Sequence, residues 1–297
     1  MNPYLPEGMA PRCGGYTREE LYAAQKSGAV LQAKCLLCDE KHDLSVDLGC
    51  CRGVIARKEG ALGIADGSVR DIAVLSRVGL PVSFCVTALP DDAPAQLSRL
   101  HAQEQALDRL LKKTPGEVIP AVVTNLTDFG AFCDVGCGVA ALLPIENISV
   151  SRIRSAAERF RLGQEIFAVI RAVDPQKRRI VLTHKELLGT WRQNAAAFRP
   201  GQTVSGIVRS VKSYGVFIEL TPNLSGLAEP DETLCEGDAV SVYIKSIQPE
   251  KLKLKLAVLR RLPRAQTPEA LSYSVTQGRL SSFLYGSADR PKCLTIF

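Results

Sequence analysis

The sequence repeats itself, and this repeat limits the fold more than any other feature. The stretch "PGEVIPAVVTNLTDFGAFCDV", which begins at Pro115, aligns without a gap with "PGQTVSGIVRSVKSYGVFIEL", which begins at Pro200. After an additional segment in the first of these copies, "LGQEIFAVIRAVDPQKRRIVL" aligns with "EGDAVSVYIKSIQPEKLKLKL". Two consecutive copies of one small module are therefore present, and each must bury its own core.

Each copy has the composition of a small β structure. Short segments rich in β-branched residues alternate with turns, as in "EIFAVIRAVD", "PQKR" and "RIVLT". This pattern is typical of about five strands, punctuated by Gly and Pro. A closed sheet of this size predicts an OB-type barrel, one face of which commonly binds single-stranded nucleic acid.

A degenerate third copy precedes the other two. "LQAKCLLCDEKHDLSVDLGCCRGVIARKE" is typical of two alternating strands and a turn into a third, and "VGLPVSFCVTAL" aligns with "LGQEIFAVIRAV". Residues 32–51 contain no Phe, Tyr or Trp. We expect this copy to form the barrel but to lack the binding surface of the others.

The predicted fold is mainly β, with three tandem five-stranded OB-type barrels joined by short helices. Strong helix formers predict a linker helix over 98–113, and "KELLGTWRQNAAAF" has the same place before Pro200. Thr17 and Glu20 have the spacing of a capping box, which predicts a helix over 17–27.

Five segments are predicted: an N-terminal segment, a degenerate barrel with its linker helix, a second barrel with its linker helix, a third barrel and a tail. Their bounds are 1–28, 29–113, 114–198, 199–259 and 260–297. In the tail, Thr267–Pro268 is a candidate helix start, and the terminal "CLTIF" is a candidate strand.

The second and third copies share an aromatic–Gly–x–aromatic motif, "FGAF" at Phe129–Phe132 and "YGVF" at Tyr214–Phe217. On a regular strand, residues three apart point to opposite faces. A glycine-centred bulge at Gly130 and Gly215 would return both rings to one face, where they could stack on bases. The alternative is that the rings belong to the core. Repetition at matched positions favours binding.

These residues resemble a known family. "GEVIPAVVTNLTDFGAF", "LLPIENIS" and "LGQEIFAVIRAVDPQKRRIVLTHKEL" resemble the RNA-binding repeat of small-subunit ribosomal protein one, the S-one domain. The resemblance is strong over 116–187, good over 200–258 and weak over 29–100. "GCGVAALLPIENISVSRI" resembles the short, Firmicutes-like form of that protein. The family implies an OB-fold that binds single-stranded RNA.

The resemblance implies which residues form the RNA surface. They are Phe129, Phe132, Asp174 and Arg179 in the second module, and Tyr214, Phe217 and Lys253 in the third. The family often has a histidine where this chain has Pro144 and Glu229, and an aspartate where it has Gln248. Since Glu229 would repel phosphate, we expect the third module to bind RNA more weakly.

Basic residues surround the aromatic motif of the second module. Lys177 and Arg178 precede Arg179 in the turn "QKRR". The additional segment supplies four candidate phosphate contacts, namely Arg152, Arg154, Arg159 and Arg161. Such charges are usually solvated loop residues, but beside aromatic rings they could follow a phosphate backbone.

Cysteines offer the other candidate chemistry. Cys35-x-x-Cys38, followed by His42 and Cys50–Cys51, raises the hypothesis of a zinc site. However, Cys35 and Cys38 lie within a predicted strand, where side chains three apart diverge, so we predict no metal. No phosphate-binding glycine loop, metalloprotease motif or nucleophile elbow is present. We therefore predict no catalytic residues, no cofactor and no small-molecule substrate.

The net charge of +6 and the pI of about 8.8 permit an anionic partner. No apolar run is long enough to span a membrane, and the start lacks a signal-peptide pattern, which predicts a cytoplasmic protein. The predicted function is non-catalytic binding of single-stranded RNA, including mRNA, in the translation apparatus, with the small ribosomal subunit as a partner. The alternative is a protein-docking adaptor on the ribosome or on an RNA-processing or transcription complex. A zinc or thiol enzyme ranks below both.

Overall fold

Three closed five-stranded barrels follow one another along the chain in the computed structural model, which describes residues 4–263, 271–287 and 290–297. The first contains β1 (Leu31–Cys38), β2 (Leu44–Asp47), β3 (Arg52–Ile55), β4 (Pro81–Ala88) and β5 (Ala95–Ser98). The second contains β6 (Val118–Thr127), β7 (Gly130–Asp134), β8 (Ala140–Pro144), β9 (Glu165–Asp174) and β10 (Arg179–Thr183). The third contains β11 (Thr203–Lys212), β12 (Gly215–Thr221), β13 (Leu224–Ala228), β14 (Ala239–Gln248) and β15 (Lys253–Leu262). The predicted fold class is confirmed.

All three barrels have the same connectivity. Around each barrel the order of strands is first, second, third, fifth and fourth, and the fourth pairs with the first to close the sheet. The third and fifth strands run parallel, and the other neighbours are antiparallel. This is the arrangement expected of an OB-type barrel. The degenerate copy therefore keeps the whole barrel.

Helices connect the barrels as the sequence predicts. The α-helices in the described part of the chain are α1 (Arg18–Ser27), α2 (Ile72–Leu75), α3 (Arg99–Leu110) and α4 (Trp191–Ala195). Short 3-10 helices cover Arg57–Glu59, Ile145–Asn147, Ala156–Glu158, Lys185–Leu188 and Pro249–Lys251. The capping box of Thr17 and Glu20 is present in α1. Among the described residues, no helix has both the length and the apolarity needed to cross a membrane.

The N-terminal segment links the first barrel to the second through buried charges. Glu7 pairs with Arg99, with 2.7 Å between Oε1 and Nε, and both side chains are 4% exposed. The backbone N–H of Glu7 donates to Oδ2 of Asp134 in β7 at 2.7 Å. Because buried charges need such partners, this contact fixes the N-terminal segment between the two barrels.

The C-terminal residues fold back over the second and third barrels. A hairpin of β16 (Ser282–Ser287) and β17 (Arg290–Ile296) follows the third barrel, and its second strand includes all of the candidate "CLTIF" strand except Phe297. Phe283 and Tyr285 join the third core, while Oγ1 of Thr295 donates to Oε1 of Glu186 at 2.8 Å. The hairpin therefore contacts both barrels. The candidate helix start at Thr267–Pro268 lies outside the described residues.

Candidate nucleic-acid interface

The aromatic motif of the second barrel lies at the β6–β7 hairpin. Asp128 and Phe129 form the turn, and Phe129 is 58% exposed. Phe132 lies between buried Ala131 and Cys133 on β7, so its side chain points outward from the barrel. The ring centroids of Phe129 and Phe132 are 6.0 Å apart in an edge-to-face arrangement. The two rings therefore form one outward-facing pair, the second-barrel aromatic pair, in which Phe129 is exposed and Phe132 is half-buried.

The third barrel repeats this geometry. Tyr214 lies in the β11–β12 turn and is 65% exposed, and Phe217 lies between buried Val216 and Ile218. The centroids of the Tyr214 and Phe217 rings are 6.1 Å apart, again edge to face. We call these two residues the third-barrel aromatic pair. Neither pair belongs to a core, as the stacking interpretation requires.

The predicted bulge is not at the glycines. The pairing register shifts in the preceding strand instead, between Val123 and Asn125 of β6 and between Val208 and Ser210 of β11. Gly130 has a φ of 152°, and a Cβ there would lie 2.3 Å from the carbonyl oxygen of Leu143. The glycine is required because the neighbouring strand approaches closely. The rings share a face because the first ring is in the turn rather than on the strand.

Cationic residues lie on the same outer faces as the aromatic pairs. Phe132 pairs with Leu142, which pairs with Val181, so these three residues cross neighbouring strands in one row. Arg179 is exposed two residues before Val181 on β10, on the same face. In the third barrel the corresponding row is Phe217, Leu227 and Lys255, and exposed Lys253 corresponds to Arg179.

The turn before Arg179 is more constrained than its sequence shows. Oδ1 of Asp174 accepts from the backbone N–H of Lys177 at 3.0 Å, so this carboxylate caps the turn. Arg178 has a φ of 51°, as Leu252 has in the third barrel with 50°. The Arg178 guanidinium lies 3.7 Å from the Asp108 carboxylate of the linker helix α3. Of the three basic residues, Arg179 alone lies on β10, the strand that carries Val181 of the row with Phe132.

The four arginines of the additional segment have different environments. Arg152 and Arg161 are exposed, and Arg154 forms an ion pair with Glu236 of the third barrel. Arg159 is only 4% exposed. Its Nη2 donates to Oε2 of Glu219 at 2.5 Å. The expectation of a phosphate contact from Arg159 is therefore wrong, because its guanidinium is buried in an ion pair.

Glu229 is also paired. Nζ of Lys245 lies 2.6 Å from Oε1 of Glu229, and this hydrogen bond lowers the pKa of the exposed carboxyl. The negative charge is thus partly offset by a neighbouring lysine. Glu229 should therefore repel phosphate less than an unpaired carboxylate would, and weaker RNA binding by the third barrel stays a prediction.

Three groups that make contacts across the molecule are not evident in the sequence. Arg209 and Glu219 of the third barrel pair with Glu158 and Arg159 of the second, and His184 is fully buried beside the C-terminal segment. Nδ1 of His184 lies 2.9 Å from the Ile148 carbonyl oxygen, and its Nε2 lies 3.1 Å from the Tyr273 hydroxyl. Burial lowers the pKa of His184 to about 4. Their partners are distant in sequence, so no local pattern identifies them.

The cysteine hypothesis gains no support from the geometry. Cys35 is fully buried in the first core, and burial raises the pKa of its thiol to about 11. His42 lies 3.3 Å from Asp71 rather than beside a cysteine. Among the described residues, no cluster of three or more His, Cys, Asp or Glu side chains could hold a metal ion.

Several known proteins are similar to this chain in sequence. Residues 112–185 match the family described as "S1 RNA binding domain". "Small ribosomal subunit protein bS1" of Leuconostoc lactis is 32% identical over 213 residues, which are 65% of this chain and 49% of that protein. "Small ribosomal subunit protein bS1 homolog" of Bacillus subtilis is 30% identical over 58% of this chain and 48% of that protein. This chain spans about half the length of these curated relatives.

A solved multidomain protein with nucleic acid binding domains from Streptococcus pneumoniae aligns over 78% of this chain and 73% of its own, at 15% identity. The TM-score of 0.27 is too low for any argument from that structure. The match of residues 112–185, by contrast, covers the barrel that carries Phe129, Phe132 and Arg179. Over residues 112–185, the chain is therefore similar to S1 RNA-binding domains.

Proposed function

We propose that this protein binds single-stranded RNA without catalysis, and that it does so in the cytoplasm as part of the translation apparatus. The observation that carries the proposal is the outward-facing aromatic pair at the same hairpin of two consecutive barrels. Exposed rings on an OB-type barrel can stack on unpaired bases with little sequence preference. The cationic residues on the same outer faces would meet the phosphates.

The two barrels would act together on one strand. Each aromatic pair offers one stacking site, beside Arg179 in the second barrel and Lys253 in the third. Binding at one pair raises the local concentration of the same RNA at the other, so the affinity of the whole chain exceeds that of either barrel. The first barrel lacks such rings and contributes little to RNA binding.

The direct test compares two double variants of the whole chain. F129A/F132A and Y214A/F217A should each weaken binding to an unstructured oligouridylate, with a loss of about 1–3 kcal/mol per stacked base. Tyr22→Ala is the matched control, because Tyr22 is 53% exposed on α1 but belongs to neither pair. If both double variants bind like Tyr22→Ala, the proposal is wrong.

The small ribosomal subunit is the proposed partner, since the matched relatives are named as its proteins. Sedimentation of the tagged protein with polysomes at low and high salt tests this association. Co-sedimentation that disappears after RNase treatment would indicate binding through mRNA. Absence from subunits and polysomes at low salt would contradict a role in translation.

A protein-docking function for the first barrel is a second candidate, and one observation favours it. Leu37 is 44% exposed at the register position that Asn125 has in the second barrel. Leu36 and Leu80 are 40% and 45% exposed, and the Leu80 carbonyl accepts from the Cys35 N–H next to Leu36. Neighbouring exposed leucines are typical of protein contacts. L37E/L80E should reduce binding to purified small subunits and leave oligouridylate affinity unchanged if this barrel docks there.

A further inference from the structure

The additional segment of the second barrel lies on the outer face of the third. We call residues 149–162, between β8 and β9, the insertion. Arg159 of the insertion and Glu219 of β12 form an ion pair at 2.5 Å, in which both side chains are 5% exposed. Arg209 of β11 lies 2.8 Å from Glu219 and also pairs with Glu158 of the insertion. Two arginines and two glutamates thus join the barrels.

This charge network fixes the position of the insertion. Nε of Arg159 also donates to Oγ of buried Ser149 at 3.4 Å. Burial lowers the pKa of Arg159, while Glu219 acts in the opposite direction. A buried charge that loses its partner is strongly destabilising, so the insertion cannot move away from the third barrel without a large cost.

The fixed end of the insertion lies next to the third-barrel aromatic pair. Glu219 lies two residues from Phe217 on the same face of β12, and Ser225 and Leu227 of β13 are their respective partners. Oγ of Ser151 lies 2.8 Å from Oγ of Ser225. Because two residues along a strand cover about 7 Å, Ser151 lies one such step from the Phe217–Leu227 pair.

Arg152 follows Ser151 directly in the sequence. Its neighbours in the chain contact the third barrel, so Arg152 lies where the insertion meets that barrel. The backbone N–H of Ser151 donates to the Pro222 carbonyl at 3.0 Å, and Arg154 pairs with Glu236. The chain on both sides of Arg152 is thus held by the third barrel. Arg152 itself is exposed, and its side chain forms no ion pair with any described residue.

We propose that Arg152 of the second barrel belongs to the RNA-binding face of the third barrel, where it contacts the phosphate next to a base stacked on Phe217. This inference rests on the proposed function. The inference changes the assignment of the insertion. From the sequence alone, its arginines would be expected to act beside the second-barrel aromatic pair. RNA bound at the third-barrel pair would then cross the boundary between the barrels, and the charge network would keep that boundary in register.

A double-mutant cycle in the whole chain tests the assignment, because only groups that act on the same ligand segment show coupling. Arg152→Gln removes the charge and should weaken oligouridylate binding about three- to tenfold. The slope of log affinity against log salt should become shallower by about 0.7, which corresponds to one phosphate contact on a single strand. Arg192→Gln is the control, since Arg192 is an exposed arginine of α4.

Arg152→Gln is measured in each aromatic double variant to determine which aromatic pair Arg152 acts with. In Y214A/F217A the effect of Arg152→Gln should fall below about twofold, whereas in F129A/F132A it should persist. An effect that persists in Y214A/F217A and vanishes in F129A/F132A would overturn the inference and leave the proposed function intact. The inference is also overturned if Arg152→Gln binds like Arg192→Gln. If neither aromatic double variant changes affinity, the proposed function itself fails. Equal melting temperatures of Arg152→Gln and wild type are expected.

Discussion

The first and second barrels have the same fold, but different residues occupy matching positions on their outer faces. Both have the register shift in the first strand, between Cys35 and Leu37 in one and between Val123 and Asn125 in the other. At the next register position, Leu37 pairs with Ser45, whereas Asn125 pairs with Phe132. The inward residues specify the barrel, and we propose that the outward residues of the same strands determine RNA binding. A repeat can therefore change its outward surface without losing its fold.

The largest effect should come from the inward face. Phe84 is fully buried in the first core, and Phe84→Ala should lower the free energy of unfolding by about 3–5 kcal/mol. Phe132→Ala, on the outward face, should change it by less than about 1 kcal/mol. Thermal or urea unfolding of both variants measures the difference. Equal losses would mean that Phe132 is a core residue and would end the contrast between the two faces.

The residue that follows the fifth strand differs between the first and second barrels, so pH should affect the stability of these barrels differently. In the first barrel this residue is Arg99, which is charged and paired with Glu7. In the second it is His184, whose pKa burial lowers to about 4. Since the unfolded chain has the usual histidine value near 6.5, protonation favours unfolding below that pH. The stability from neutral His184 is complete above pH 6.5 and is lost as the pH falls to about 4, by about 3 kcal/mol.

The His184 contribution is obtained from the difference between wild type and His184→Gln at each pH. Burial and the neighbouring Glu7 raise the pKa of Asp134, which changes stability in the opposite direction, and the subtraction removes that contribution. A wild-type minus variant difference that is constant between pH 6.5 and 4 would show that His184 takes up its proton as easily in the folded protein as in the unfolded chain.

An intermediate effect should follow from giving the first barrel an aromatic pair. In the background F129A/F132A/Y214A/F217A, the additional changes His42→Phe and Ser45→Phe place rings at the β1–β2 hairpin. We expect oligouridylate affinity to recover by about 1–2 kcal/mol, the contribution of a stacked base. Placing the rings at Glu40 and Asp47 instead is the control. No recovery with an intact fold would show that the binding surface needs more than rings at this register.

The smallest effect should distinguish two adjacent arginines of the second barrel. Arg179→Ala should make the slope of log affinity against log salt shallower by about 0.7 and cost below about 1 kcal/mol. Arg178→Ala should change the slope less, because Arg178 is near Asp108. Filter binding over a range of salt concentrations provides both slopes. A larger change for Arg178→Ala would indicate that RNA displaces Asp108.

The barrels are predictable from the sequence because the patterns that specify them are local and repeated. Strand alternation, turn residues and the capping box of Thr17 with Glu20 each depend on near neighbours. The predicted bulge at Gly130 is wrong, because a bulge and a close approach of two strands both favour glycine. Only the distance to the Leu143 carbonyl separates the two causes.

The contacts between barrels could not be predicted in this way. Arg159 and Arg161 are alike in sequence, yet one is buried and the other exposed, because Glu219 lies on a different barrel. The packing of the C-terminal hairpin could not be predicted from the sequence either. Its partners Glu186 and Asn223 are brought together only after the second and third barrels have folded.

The C-terminal hairpin also makes contacts that form late in synthesis, because its residues follow those of all three barrels. Synthesis is directional, and barrels of this size can fold as units while the rest of the chain is still being made. Thr295 and Tyr273 therefore reach Glu186 and His184 only after both barrels have been synthesised. A chain that ends before Tyr273 would keep the residues of all three barrels but would lack these contacts to Glu186 and His184.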